Sequence, residues 1–292
     1  RRAKKDWVAA YVFIAPVTIG LLIFYIWPFV QNVWFSFNEV NKFNMTTFVG
    51  VQNYVDMVQD KEMWKTFGNT LKYVVCTVPV GLFLSICIAA LLNSKIKGTS
   101  IYRTLYFLPS VTMAAAVAMV WKWIYNEKMG ILNSVIRGMG GKGVGWLTDP
   151  KIALFMIMIV GLWMTVGYNM IILLAGMQGI SKSYYEAAAI DGCSPEGTFF
   201  RIIFPLLTPV ITTVTILNGM WIWNDYLLPS LMLGQNGKVK TLPVAVQAFV
   251  GSYVKQWDLI LTAALLAIIP MVIIFLVAQK QIMNGMVEGA IK

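Results

Sequence analysis

Six long stretches of this chain contain no Asp, Glu, Lys or Arg: residues 7–38, 73–94, 104–121, 152–181, 202–224 and 259–279. Each is about as long as the ~20 residues a helix needs to cross a hydrocarbon core, or longer. No water reaches that core, so a segment placed there must satisfy its own backbone, and a helix does this within one segment. The expectation is an all-α membrane protein with six transmembrane helices over 7–32, 72–94, 104–124, 152–178, 202–224 and 259–280, forming a single domain over 1–292. Two further uncharged runs, 226–237 and 241–254, are too short to cross. They are expected in an external loop or dipping partway into the membrane. Composition agrees: 58% of residues are hydrophobic and 12% charged, about half the charge of a soluble domain.

The charge that remains is basic in balance, +10 over 292 residues. Its Lys and Arg gather at the ends of the apolar runs, where membrane lipid headgroups explain them better than nucleic acid does. Arg1, Arg2, Lys4 and Lys5 precede the first run, and Lys95, Lys97 and Arg103 fill the short connection after the second. Short basic flanks stay in the cytoplasm, so with six spans both termini are cytoplasmic. The first run far exceeds the ~7–15 residues of a signal-peptide core and reads as a retained span. Trp121, Trp123, Tyr125 and Trp146 flank the spans as membrane-edge aromatics. Cys76, Cys87 and Cys193 are an odd set, two of them in an apolar run, which argues against a disulfide framework. There is no His, the commonest metal ligand and general base.

Several chemistries are thereby excluded. Gly138-Met139-Gly140-Gly141-Lys142-Gly143 resembles a phosphate cradle only superficially. A Walker A loop needs Ser or Thr after its Lys and Gly five positions before the second Gly, where this chain has Gly143 and Ile136. The stretch reads as a flexible loop, and the chain has no nucleotide site of its own. The spans offer almost no ionisable side chain; Asp225 and Lys122 lie at span ends, where snorkelling accounts for them. The mid-membrane carboxylate of an ion-coupled carrier is missing. No carboxylate pair, His-partnered nucleophile or ligand cluster is present, so no catalytic residue, no metal and no cofactor is expected.

What the spans do offer is neutral and aromatic. Thr165, Tyr168, Asn169 and Gln178 lie in the fourth, and Thr208, Thr212, Thr213, Thr215 and Asn218 in the fifth, interleaved with Trp163, Trp221 and Trp223. Amides and hydroxyls can bond sugar hydroxyls while rings pack on sugar C–H faces. Trp163, Tyr168, Asn169, Asn218, Trp221, Trp223 and Asn224 are the candidate substrate path. The same small polar groups also glue membrane helices together, and each residue on its own reads that way too. Pro16, Pro28, Pro79, Pro109, Pro205, Pro209 and Pro270 are expected to kink the spans.

The most organised water-facing piece is residues 183–205. Glu186-Ala187-Ala188-Ala189 favours helix, and Gly192 can take the left-handed conformation that ends one. Ser194-Pro195 then supplies an N-cap and a Pro at the first position of a second helix. Helix, sharp turn and helix make a docking shape at a membrane surface.

Glu186-Ala187-Ala188, three residues, Gly192, nine residues and Ile202-Ile203-Phe204-Pro205 resemble the EAA loop of bacterial ABC-importer permease subunits, with Phe204 where Leu is usual. Met177-Gln178-Gly179-Ile180-Ser181, Tyr106-Phe107-Leu108-Pro109 and Gly145-Trp146-Leu147-Thr148-Asp149-Pro150 look like the carbohydrate-uptake branch, the maltose and multiple-sugar type. The resemblance implies a type I importer permease fold in a bacterial inner membrane. It also implies coupling helices in which Glu186, Ala187, Ala188, Asp191 and Gly192 contact an ATPase. Implied partners are a second permease subunit, two ATP-binding subunits and an extracytoplasmic solute-binding protein. The end of the chain, Trp223-Asn224-Asp225-Tyr226 and Lys280-Gln281-Ile282-Met283 onward, looks like the other permease subtype than residues 1 to about 200, so heterodimer and homodimer both stay open. The functional expectation is a permease subunit of an ATP-driven sugar or oligosaccharide importer. The alternatives are the same machine moving a polyol or glycerol phosphate, and an ion-coupled secondary carrier.

Overall fold

The computed structural model describes residues 2–40, 46–94, 96–234, 237–248 and 257–290. Arg1 and Lys95 of the basic flanks, and residues 249–254 of the second short apolar run, lie outside them. Among the described residues five helices are long and apolar enough to span: Ala10–Ser36, Lys61–Asn93, Ala153–Gln178, Pro195–Trp223 and Asp258–Gln279. A sixth span is formed only if two helices bent by 95°, Thr99–Val111 and Ala114–Ile124, are counted together. The run expected to be one rod over 104–124 is thus broken, with Thr112 and Met113 extended between its halves. The first half is pinned by Ser110 Oγ donating to the Met164 carbonyl at 2.8 Å. The second packs Val117 and Ala118 with Leu228 and Met232.

The chain forms two compact units. The first holds α1 (Arg2–Leu21), α2 (Trp27–Ser36), a two-stranded antiparallel ribbon of β1 (Asn38–Val40) and β2 (Thr46–Phe48), and α3 (Gln52–Gln59). Among the described residues the ribbon is the one departure from an all-α description, and α3 begins only at Gln52. Gly50, at φ +62°, turns the chain between them. Asn53 Nδ2 donates to the carbonyls of Ser36 (2.9 Å) and Asn38 (3.0 Å), tying α3 to the end of the first span. That span's own side chains face outward, Phe13 84% and Phe24 74% exposed, a surface suited to lipid or another apolar chain.

The second unit contains most of α4 (Lys61–Asn93), α5 (Thr99–Val111), α6 (Ala114–Ile124), α7 (Ile131–Gly138), α8 (Ala153–Gln178), α9 (Lys182–Ile190), α10 (Pro195–Thr198), α11 (Phe204–Trp223), α12 (Leu227–Leu233) and the start of α13 (Leu242–Ala248). The last helix, α14, runs Trp257–Ala290. The two short apolar runs become α12 and α13 where described. Both are packed: Leu228, Met232, Leu242 and Val244 are buried, and Leu242 N–H donates to Thr70 Oγ1 at 2.7 Å.

Two prolines leave a local signature. Pro28 and Pro205 each sit just after a π-helical turn, Leu22–Ile26 and Phe199–Ile203. A proline has no N–H to donate and its ring crowds the carbonyl four residues back; a wider turn relieves that clash without ending the helix.

Helix α8 is the centre of this unit, and glycine lets its neighbours approach. A Cβ at Gly167 would overlap the Tyr106 carbonyl and lie 3.0 Å from Phe107 Cα, so α5 crosses α8 backbone against backbone. At Gly176 a Cβ would meet Leu207 at 3.0 Å and Val210 at 3.3 Å. Gly167→Ala should therefore lower thermal stability of the purified protein by about 1–3 kcal/mol, since α5 must be displaced. Gly68→Ala, where an added Cβ meets nothing within 4 Å, should leave it unchanged or slightly higher. Thermal unfolding in detergent compares the two; equal melting would show that the crossing is not tight.

Candidate functional site

The second unit carries two features of functional interest, an open cavity and an exposed helix pair. The cavity has a volume of about 550 Å³. Its walls come from single faces of three segments: Phe107, Ser110, Val111 and Ala114 from the bent pair; Gly161, Met164, Thr165 and Tyr168 from α8; Asn218, Trp221, Ile222 and Asp225 from α11 and the residues just beyond it. All three sets share the spacing i, i+3, i+4, i+7; on α8, and on α11 up to Ile222, that is one stripe of a helix, whereas Ala114 lies beyond the 95° bend from Phe107, Ser110 and Val111. Tyr73 of α4, Met220, Asn224 and Leu228 complete it.

Of the candidate path residues, Tyr168, Asn218, Trp221 and Asn224 line the cavity. Tyr168 and Trp221 are stacked, their rings 6.0 Å apart and 18° from parallel, and Trp221 is 66% exposed. Asn169 lies behind the wall and accepts from Asn218 Nδ2 at 2.7 Å, which fixes the Asn218 amide between α8 and α11. The other two tryptophans point elsewhere. Trp163 meets Trp121 edge-on at 5.7 Å, and Trp223 is buried edge-on against Phe67 at 5.5 Å.

Sequence reasoning passed over Asp225. It does not snorkel: it is half-buried on the cavity wall, where Oδ1 accepts the Leu228 N–H at 3.3 Å and Oδ2 accepts the Tyr73 hydroxyl at 3.4 Å. The i+7 spacing from Asn218 was the signal available for it. Burial pushes its carboxyl up to about 6, while hydrogen bonds from Leu228, Tyr73 and Leu227 pull the other way. At neutral pH it is mostly ionised.

The residues that flank the Gly-rich stretch are held together at Asn133. Asn133 is fully buried; its Nδ2 donates to the carbonyls of Asn126, Glu127 and Val144, and its Oδ1 accepts from Val144 N–H and Trp146 Nε1.

The helix pair is built as its local chemistry dictates. Gly192 has φ +74° and closes α9 in a Schellman motif, with Cys193 N–H donating to the Ala188 carbonyl (2.9 Å) and Gly192 N–H to that of Ala189 (3.2 Å). Ser194 Oγ then accepts the Gly197 N–H at 3.1 Å and Pro195 opens α10. Glu186, Ala187, Asp191 and Gly192 are exposed, as is Ile190 at 86%. Ala188 is 1% exposed and faces the bundle. Tyr185 and Phe199 pack on a core of Ala89, Leu92, Leu173, Met177, Ile203 and Leu207. The pair is thus seated on the ends of α4, α8 and α11 while presenting one face outward.

A carboxyl whose pKa is raised by folding binds its proton more tightly in the folded state. Its contribution is most favourable below the unfolded value near 4 and is lost as pH rises through about 6. Wild-type thermal stability should accordingly rise as pH is lowered from 7.5 to 5. Asp225→Asn should be the more stable protein at pH 7.5 and show a flatter profile. Parallel melting curves of the two across that range would refute the assignment.

Comparison with known proteins agrees with this architecture. The chain is 36% identical over 214 residues to the probable ABC transporter permease protein YesP of Bacillus subtilis (strain 168), covering 72% of this chain and 69% of that one. It is 30% identical over 225 residues, 76% and 75% of the two chains, to the sn-glycerol-3-phosphate transport system permease protein UgpA of Salmonella choleraesuis (strain SC-B67). A bacterial ABC transporter involved in import of the acidic polysaccharide alginate superposes with a TM-score of 0.81 over 96% of each chain at 20% identity, which establishes a shared fold. Residues 73–287 match the model of the binding-protein-dependent transport system inner membrane component family, and the chain belongs to that family: it is a multi-pass inner-membrane permease subunit.

Proposed function

We propose that this subunit forms half of the alternating-access path of an ATP-driven sugar or oligosaccharide importer. A second permease chain, most simply a different one, supplies the other half. Two separate ATP-binding subunits drive it, and an extracytoplasmic binding protein delivers solute. Both termini and the α9–α10 pair lie in the cytoplasm, which puts the cavity in the outer half of the membrane. The observation that carries this reading is the pairing, in one packed unit, of an exposed helix–turn–helix with an open, aromatic and amide-lined cavity.

In this reading Glu186, Ala187, Ile190, Asp191 and Gly192 enter a cleft of the ATPase, and Ala188 seats α9 on its own bundle. Nucleotide-driven closure pushes on α9, and the core shared with α8 and α11 carries the displacement to the helices that line the cavity. There Tyr168 and Trp221 offer ring faces to sugar C–H groups, while Asn218, Asn224 and Thr165 offer neutral hydrogen-bonding groups.

Reconstitution with its partners tests the reading: uptake should require the ATPase subunits, and full uptake in their absence, driven by an ion gradient, would overturn it. Glu186→Lys reverses a charge on the docking face. Gly192→Val forces a β-branched residue into the left-handed region, at about 1–2 kcal/mol. Both should lower ATPase association and coupled uptake while leaving the helical content unchanged by circular dichroism. Normal association in both variants would remove the docking role.

A further inference from the structure

The cavity wall contains one carboxylate and, among its described lining residues, no Lys or Arg. We propose that Asp225 is the charge-selecting group on this subunit's half of the path, favouring uncharged, hydroxyl-rich solutes over uronates and phosphate esters. This rests on the reading of the cavity as the solute path.

Geometry places the carboxylate where a solute would meet it. Asp225 continues the stripe of Asn218, Trp221 and Ile222, so it faces the same space as the Tyr168–Trp221 stack. An ionised carboxylate accepts at about four lone-pair positions. Its donors here are Leu227 N–H, Leu228 N–H and the Tyr73 hydroxyl, the last two at 3.3 and 3.4 Å, longer than a good bond of about 2.9 Å. Acceptor capacity is left over on the cavity side, and neighbouring sugar hydroxyls are donors that can use both oxygens. The flanking amides and hydroxyls bond a neutral solute without adding charge.

An anionic solute meets the opposite situation. Two like charges about 5 Å apart in a partly desolvated site repel enough to lower occupancy on the order of a hundredfold. No cation on the described wall offsets that, so this subunit's half of the path disfavours anions, apart from any choice made by a binding protein.

The competing role for Asp225 is structural, as the acceptor for the first amide groups of α12. Asn accepts such bonds about as well as Asp. Asp225→Asn therefore removes the charge and keeps the cap.

Thiol labelling reads the charge without knowledge of the natural solute. Thr165→Cys, with Val111→Cys as a second reporter, is introduced on the cavity wall of the assembled transporter after Cys76, Cys87 and Cys193 are replaced by Ser. Rates are measured with a trimethylammonium-ethyl and a sulfonatoethyl methanethiosulfonate. The cation-to-anion rate ratio should be high with Asp225 and fall by about tenfold or more on Asp225→Asn. A ratio unchanged at both reporters overturns the charge-selecting role and leaves the solute path intact. The same rates are taken without nucleotide and after trapping with ATP and vanadate. Rates that change with nucleotide state support the path. Rates that do not change remove the cavity from it and so overturn the selectivity through its premise.

Discussion

In lipid a helix gains no hydrophobic energy by meeting another helix, so the bundle must be held by close packing and by polar groups that find partners. Helix α8 meets that requirement with small residues at its crossings. Gly161 leaves room for the Tyr73 ring, Gly167 lets α5 lie backbone to backbone, and Gly176 admits Leu207 and Val210 of α11. Everything of functional interest follows from these approaches. They bring the Phe107, Thr165 and Asn218 faces round one cavity, and they bring Met177 and Leu207 into the core on which α9 sits.

The polar groups follow the same logic. Ser85 Oγ donates to the Val166 carbonyl, Ser110 Oγ to that of Met164, and the Asn169–Asn218 pair spans α8 and α11. Each is a neutral cross-helix bond, which avoids the cost of a charge in hydrocarbon. The single carboxylate on the cavity wall stands out against that background. It lies just past the last turn of α11, held by a tyrosine and two backbone amides.

How much of this was legible depends on the range of the physics involved. The helix pair at 182–198 was legible almost to the residue, because a left-handed Gly192, a Ser194 cap and Pro195 act within a few bonds of one another. The cavity was legible only in kind. Neutral polar and aromatic residues were singled out by type, yet a helix turns about 100° per residue, so Trp221 and Trp223 point about 200° apart and cannot share one wall. The stripe spacing that gathers Asn218, Trp221, Ile222 and Asp225 would have retained the aspartate and set aside Trp223.

The distribution of charge by itself determined that this chain lives in a membrane, and local backbone chemistry determined that a helix, sharp turn and helix lie within 183–205. Those properties depend on the solvation of single segments and on backbone preferences a few residues long. Tertiary structure alone decided that the third run breaks by 95°, that the residues flanking the Gly-rich stretch meet at Asn133, and that Asp225 faces a cavity. These outcomes depend on which helix faces meet, and that is set by small residues on distant segments, where no local pattern records the partner.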